Sequence, residues 1–322
     1  MAPLIKTVQI STKELQDTDV ITKCAPRIYN IVYLRVLQYT VLHIFAAYGL
    51  YLGITAAKWK TIISFCIFLI ASVVGITVAA HRLWSHKAFK ATMPLQIVLM
   101  LFNSIAFQST AIDWIRDHRL HHKHSDTDAD PYNASRGFFF SHIGWLLVRK
   151  HPLVLKKGKT VDMSDIYNNP VLKFQQKHAV IVIGLCCYVV PTIIPIYFWN
   201  ETFSNAFYIN TLRHVIGLHL AFSVNSFAHL WGTKPYDKSI LPVQSLFVSL
   251  ISGGEGFHNY HHVFPCDYRT AEIGNNWLNP STLFIDVLAK FGLVYDLKST
   301  PENVINNRII RTGDGSNVWG IS

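Results

Sequence analysis

Charge is what this 322-residue sequence has least of. Only 15% of its residues are Asp, Glu, Lys or Arg, and half are hydrophobic, whereas a soluble domain averages about 25% charged. That shortage argues against a soluble globular protein and for an integral membrane one. Five cysteines form no CxxC pair and no disulfide framework. Cys66, Cys186 and Cys187 lie in apolar runs and read as small packing hydrophobes, and Cys24 and Cys266 stand alone. Residues 1–30 are polar and lack the apolar core of a signal peptide, so they read as an N-terminal arm. No linker, low-complexity run or internal repeat divides the rest of the chain. The expectation is one domain over residues 31–316 and a tail at 317–322. The formal net charge is +10, but the basic residues are scattered between apolar spans. That pattern excludes a nucleic-acid surface and favours an anionic membrane face, an anionic substrate or an acidic partner.

Long apolar runs are plentiful. Residues 31–57 and 61–80 are each long enough to cross a hydrocarbon core of about 30 Å. The Lys58-Trp59-Lys60 turn between them makes them a hairpin. Residues 178–199, interrupted by Pro191 and Pro195, and residues 210–230 make a second hairpin. Met93 to Phe107 is apolar but short and reads as a buried or interfacial helix. The expected architecture is all-α, with four transmembrane helices and a helical cap from 81–177 and 231–316. Two hairpins leave all cap segments on one side. The richness of residues 82–177 in Lys and Arg makes that side cytosolic, with both termini there too.

Histidines gather on that side in three stretches: His81-Arg82-Leu83-Trp84-Ser85-His86, His118-Arg119-Leu120-His121-His122 and His258-Asn259-Tyr260-His261-His262. Spacing of i, i+3, i+4 in the second and third puts three imidazoles on one helix face. His81 and His86 are five apart, about 500° around an ideal α-helix, so the helix is expected to end or bend there. His229 closes the fourth span, one turn after Asn225. Nitrogen-only sites suit iron, zinc, copper or nickel. Nine histidines exceed the needs of one tetrahedral zinc, so two metals are expected. Asp117 and Glu255 could orient ligand N–H groups. The alternating acids Asp126, Asp128 and Asp130 lack the glycine and terminal glutamate of a calcium loop. His43, His124, His142, His151, His178, His214 and His219 read as non-ligands.

The three stretches, together with Asp128-Ala129-Asp130-Pro131, Arg136-Gly137-Phe138-Phe139-Phe140, Pro235-Tyr236-Asp237-Lys238 and Arg311-Thr312-Gly313-Asp314-Gly315, resemble the membrane-bound acyl-CoA desaturases. The resemblance covers roughly residues 30–316. It implies a cytosolic cap in the endoplasmic reticulum membrane that carries a di-iron centre. In that family nine histidines bind two iron ions and an asparagine reaches one through water. The matching positions are His81, His86, His118, His121, His122, His229, His258, His261 and His262, with Asn225. The implied reaction is dehydrogenation of a fatty acyl-CoA by O2, with electrons from NADH through cytochrome b5 reductase and cytochrome b5. No catalytic acid or base is assigned beyond the iron centre.

Arg116, Asp117, Arg149 and Lys150 match the positions that hold the CoA group, whereas Ser109 departs from an expected asparagine after Phe107-Gln108. The acyl chain is expected in a bent, dry tunnel that closes near Phe65 and Leu69. Leu241-Pro242-Val243-Gln244, Met163 to Pro170 and the ending Val318-Trp319-Gly320 resemble the insect sex-pheromone branch. They point to Δ11 rather than Δ9 or Δ10 activity on C14–C18 chains. Two readings compete: a membrane di-iron hydroxylase, which would leave a hydroxyl, and a non-catalytic acyl-CoA-binding membrane protein, which needs no iron.

Overall fold

Apolar runs become helices because, in lipid, only a helix satisfies its own backbone. The computed structural model describes residues 29–272 and 277–319; most of the N-terminal arm, Cys24 included, and the last three residues lie outside them. Among the described residues, three helices have the length and composition to cross a membrane: α1 (Tyr33–Thr55), α2 (Trp59–Ser85) and α5 (Ala179–Trp199). Between them in sequence come α3 (Met93–Ala106) and α4 (Ala111–Lys123), which meet at 83°. Then α6 (Phe203–Leu230) runs for 28 residues. It starts seven residues before the expected 210–230, because Thr202 Oγ1 accepts the Asn205 N–H at 3.1 Å and caps the helix there. Its Asn205, Asn210, Arg213 and His214 are buried. A polar stripe of this kind faces other helices rather than lipid.

The two hairpin turns meet at one end of the bundle. Glu201, beside the second turn, accepts the Lys58 N–H at 3.0 Å and the Thr61 hydroxyl at 2.5 Å. Lys58 Nζ in turn donates to the carbonyls of Trp199 and Asn200 at 2.9 and 2.7 Å. The cap lies at the other end. It contains α7 (Leu246–Ser252), α8 (His258–Val263), α9 (Pro280–Lys290) and α10 (Glu302–Thr312). A two-stranded antiparallel pair, β1 (Lys90–Ala91) and β2 (Val294–Tyr295), ties its ends together. Its core places Leu99, Ile112, Ile115, Leu172 and Ile285 in one buried cluster, each contributing roughly 1.5–3 kcal/mol on burial. That core fixes α3, α4 and α9 against the end of α2.

The helix expected to end or bend between His81 and His86 runs to Ser85, its last eleven residues forming a π-helix from Gly75. Its wider turn carries i→i+5 hydrogen bonds, and the His86 N–H donates to the His81 carbonyl at 3.1 Å. Residues five apart, which diverge on an α-helix, are thereby brought nearly over one another. Gly75 opens this stretch at a close crossing: a Cβ there would lie 2.3 Å from the carbonyl carbon of Phe102, so α3 approaches only because glycine has none.

Candidate metal centre

Nine imidazoles converge at the inner end of α2, in two groups. His81, His86, His118, His122 and His261 place one nitrogen each within 4.8 Å of one another, and His121, His229, His258 and His262 do the same. The two helical stretches divide their ligands oppositely. On α4, His118 and His122 enter the five-histidine group and His121 the other. On α8, His258 and His262 enter the four-histidine group and His261 the first. The i, i+4 pair on each helix thus serves one group and the residue between serves its neighbour. α2 adds His81 and His86, and α6 adds His229 one turn after Asn225.

The nitrogens are spaced for metal. Nε2 atoms stand 2.8 Å apart for His86 and His118, 2.9 Å for His81 and His261, and 2.9 Å for His122 and His261. In the second group the separations are 3.0 Å for His258 with His229, 3.0 Å for His258 with His262, and 3.3 Å for His121 with His262. Two ligands at right angles, each about 2.1 Å from one ion, lie about 3.0 Å apart. Three carboxylates hold the opposite ring nitrogen: Glu255 on His81 at 2.9 Å, Asp130 on His121 at 2.8 Å and Asp126 on His229 at 3.0 Å. Each Nδ1–H so engaged leaves Nε2 as a bare lone pair pointing inward. Lone pairs facing at such distances repel unless a cation sits between them. The residues therefore fit two first-row metal ions.

Protonation agrees. Burial, and then the neighbouring rings, hold His86, His118, His122, His258, His261 and His262 well below the ordinary imidazole range. Neutral rings are what a metal needs. His121 goes the other way: burial opposes its charge, but Asp130 and Asp126 outweigh it. Burial would raise the carboxylates of Asp126 and Glu255. His229 overrides it for the first, and His81 with Arg82 for the second, leaving both at about 2.

Two cavities meet at Gln108, Trp114, His118, Ala221 and Asn225. The outer chamber, about 710 Å³, has Arg116, Asp117 and Lys150 in its wall. Asp117 pairs with Lys150 and, at 3.1 Å, with Arg116; it does not reach a histidine. Arg149 is exposed and outside the lining, with its N–H donated to the Asn30 carbonyl at 2.9 Å. The inner cavity, about 60 Å³, passes His81, His121 and His258 and ends at Ser72 and Val73. Leu69 lies one turn beyond that end, against Gly217, whose Cβ would meet it at 3.8 Å. Phe65 is a further turn away; both are half-buried. Asp126 and Asp130 were absent from the expected site. Their signal, alternating acids just after a histidine stretch, is visible in sequence, but their partners are not.

Fold and site define a helical membrane protein built around two histidine clusters that line an internal cavity. Residues 57–273 match the fatty acid desaturase family model. The chain belongs to that family and is an oxidoreductase. Over 99% of its length it is 59% identical to the acyl-CoA Delta(11) desaturase of Trichoplusia ni, of which it covers 94%. Over its whole length it is 55% identical to the enzyme of the same name from Spodoptera littoralis, covering 96% of it. It also shares 54% identity, over 91% of its length and 89% of the relative's, with the (11Z)-hexadec-11-enoyl-CoA conjugase of Bombyx mori.

Proposed function

We propose that this protein is an acyl-CoA desaturase that places a Δ11 double bond in saturated C14–C18 chains, for unsaturated fatty acid and pheromone-precursor synthesis. One observation carries the reading: a chamber with Arg116 and Lys150 in its wall adjoins a narrower, mostly apolar cavity lined by residues of both histidine clusters and by Val73, Ile76, Leu220 and Val224. That is the shape of a substrate with an anionic head and a long apolar tail. The Δ11 assignment is supported by relatives of that name at 54–59% identity and by the Leu241–Gln244 and tail motifs.

In this reading His81, His86, His118, His122 and His261 hold one iron, and His121, His229, His258 and His262 hold the other, with Asn225 beside them. Reduced iron with O2 supplies the oxidant that an unactivated C–H bond requires. Overall, two hydrogens leave adjacent carbons and, with O2, two electrons and two protons, give the alkene and two waters. The chain's own residues position and exclude. Arg116 and Lys150 offer cations to the CoA phosphates, with Arg149 at the rim. Gln108 and Trp114 stand where the chain bends. Val73, Ile76, Leu220 and Val224 keep the tail dry. In the same reading, α6 is the fourth span, and the cap faces the cytosol from the endoplasmic reticulum. Cytochrome b5 delivers the electrons there.

The test is expression in a desaturase-deficient cell fed saturated acids of several lengths, followed by location of the double bond. An alkene at carbon 11 without a hydroxyl is expected. A hydroxylated product, or no product from an iron-loaded protein that binds acyl-CoA, overturns the reading.

A further inference from the structure

The carboxylates that orient ligands serve only part of the centre. His81, His121 and His229 each have one on Nδ1, but the buried Nδ1 atoms of His258 and His261 have no hydrogen-bond partner. These two rings are aimed only by where the backbone of α8 is held. That backbone is held by two side-chain amides.

Asn259, inside the third histidine stretch, is fully buried. Its Oδ1 accepts the N–H groups of Tyr236 and Asp237 at 2.9 and 3.1 Å. Its Nδ2 donates to the carbonyls of Asp237 and Pro242 at 3.0 and 2.9 Å. Gln244 is 1% exposed and completes the frame. Its Oε1 accepts the Tyr260 N–H at 3.3 Å and its Nε2 donates to the Val318 carbonyl at 3.2 Å. Its backbone exchanges two hydrogen bonds with Thr233, at 2.7 and 3.1 Å, just past the end of α6. One residue earlier, Val243 donates to Ala228 at 2.7 Å, immediately before the ligand His229, and accepts from Asn259 at 3.3 Å. The Ser245 N–H donates to the Gly256 carbonyl at 2.8 Å. A Cβ on Gly256 would lie 2.2 Å from the Ser245 carbonyl oxygen, so the segment closes on the third stretch only through glycine.

We propose that Gln244 and Asn259 are positioning residues for the metal centre. They lock the start of α8 to the end of α6 and to the C-terminal tail, and so set His258 and His262 against His229. The Leu241–Gln244 tetrapeptide, which carries the regiochemical cue in sequence, thereby acts on metal placement; it does not line the inner cavity where the acyl chain lies. The four-histidine group takes two of its ligands from α8 and the five-histidine group one, so loosening α8 weakens the former more. This inference rests on the two-metal reading above.

The test uses the full chain, purified in detergent and stripped of metal, titrated with cobalt(II) as a visible-absorbing probe. Hydrogen–deuterium exchange is followed in parallel at residues 256–264 and 112–123. Gln244→Leu keeps the bulk and removes both side-chain hydrogen bonds. It is expected to weaken one of two cobalt equivalents by about tenfold or more, the usual effect of losing a ligand's support, and to speed exchange at 256–264 only. Gln244→Glu keeps the acceptor for Tyr260 and is expected to fall between Gln244→Leu and wild type. Two wild-type cobalt equivalents in Gln244→Leu, with unchanged exchange, overturn the proposal, and so does an equal loss at both sites with faster exchange at 112–123. If Gln244→Leu does not fold, Gln244→Glu decides by the same criteria. A wild-type chain that binds no cobalt defeats the metal reading instead; the exchange at 256–264 still judges the clamp.

Discussion

Glu255 accepts the Nδ1–H of His81 at 2.9 Å with one carboxylate oxygen, and with the other it accepts the buried guanidinium of Arg82 at 2.9 Å. One anion thus orients a metal ligand and neutralises a cation that is fully buried. Glu255→Gln keeps the shape and loses the charge. Metal binding is expected to weaken 10–100-fold, and stability to fall by about 3 kcal/mol as Arg82 is left without an anion. Metal content and thermal unfolding measure the two effects separately. A variant that keeps full metal affinity contradicts the role assigned to this carboxylate.

Acid should act on the metal-free protein through its histidines. Burial first, and neighbouring rings second, keep His86, His118, His122, His258, His261 and His262 below their unfolded value, which is about 6.5. As pH falls below that value the unfolded chain takes up protons that the folded chain refuses. These six rings therefore contribute stability that is full above about pH 6.5 and declines below it, by up to about 1.4 kcal/mol per pH unit for each ring; His121, raised by Asp130 and Asp126, works the opposite way and offsets a part of one ring's share. Asp126 and Glu255, at about 2, contribute stability that is lost only at lower pH, between about 4 and 2. Denaturant unfolding between pH 7.5 and 5 checks this; a flat profile is the contrary result.

Ser109 sits at φ 91°, a left-handed conformation that suits glycine or asparagine better than serine. It is the position where the family resemblance leads one to expect asparagine. Ser109→Gly and Ser109→Asn are each expected to raise stability, the former by about 1 kcal/mol. The melting temperature in detergent is the readout, and a decrease in both variants refutes the strain.

Three histidines outside the metal groups form a chain of their own. The His43 ring donates from Nδ1 to the Tyr39 carbonyl at 2.6 Å and meets His219 Nε2 at 2.9 Å. His219 Nδ1 meets His142 Nε2 at 2.9 Å, and His142 Nδ1 meets Ser226 Oγ at 2.9 Å. The chain fastens α1 and α6 to the π-helical segment Phe140–Gly144. His219→Phe is expected to cost about 1–3 kcal/mol with metal content unchanged. Loss of metal in a folded His219→Phe protein would place this chain in the centre instead.

Gly217 lines the inner cavity, facing Leu69 and Ser72. A Cβ there would be in ordinary contact with Leu69 at 3.8 Å and Ser72 at 3.9 Å, so there is room for a methyl group beside the cavity. If the acyl tail occupies this cavity, as proposed, Gly217→Leu takes up part of its space. The preferred substrate is expected to shorten by roughly two carbons, with the double bond still at carbon 11. Competition between C14 and C18 acids, resolved by chain length, tests it; an unchanged preference places the tail elsewhere.

Six of the nine histidines are legible in sequence because i, i+3, i+4 spacing survives any tertiary detail; His81, His86 and His229 are legible from their places at the ends of apolar spans and from the family resemblance. Which metal each would serve is not. His121 and His122 are adjacent in sequence yet enter different groups, and only the crossing of α4 with α8 decides that. The five-residue step from His81 to His86 reads as a helix end on an α-helical period; a π-turn restores the register. Asp117, one position from His118, reads as a ligand's partner, but it turns outward to Arg116 and Lys150. Asp126 instead finds His229, 103 positions away, a pairing that no local pattern encodes. The hairpins are readable from their short turns, but the polar stripe of α6 is not, since its partners come from α2, α3 and α5.

Because each of α4 and α8 contributes to both groups, the gap between the two centres is measured by the rise of a helix and not by the length of any loop. It is a gauge cut into covalent geometry. On the proposed function, the position of the double bond follows from where the acyl chain lies against this gauge, so a change in the cavity or in the clamp on α8 resets it. Relatives named for positions 9, 11 and 12 are then expected to differ in how chain and gauge are set against each other.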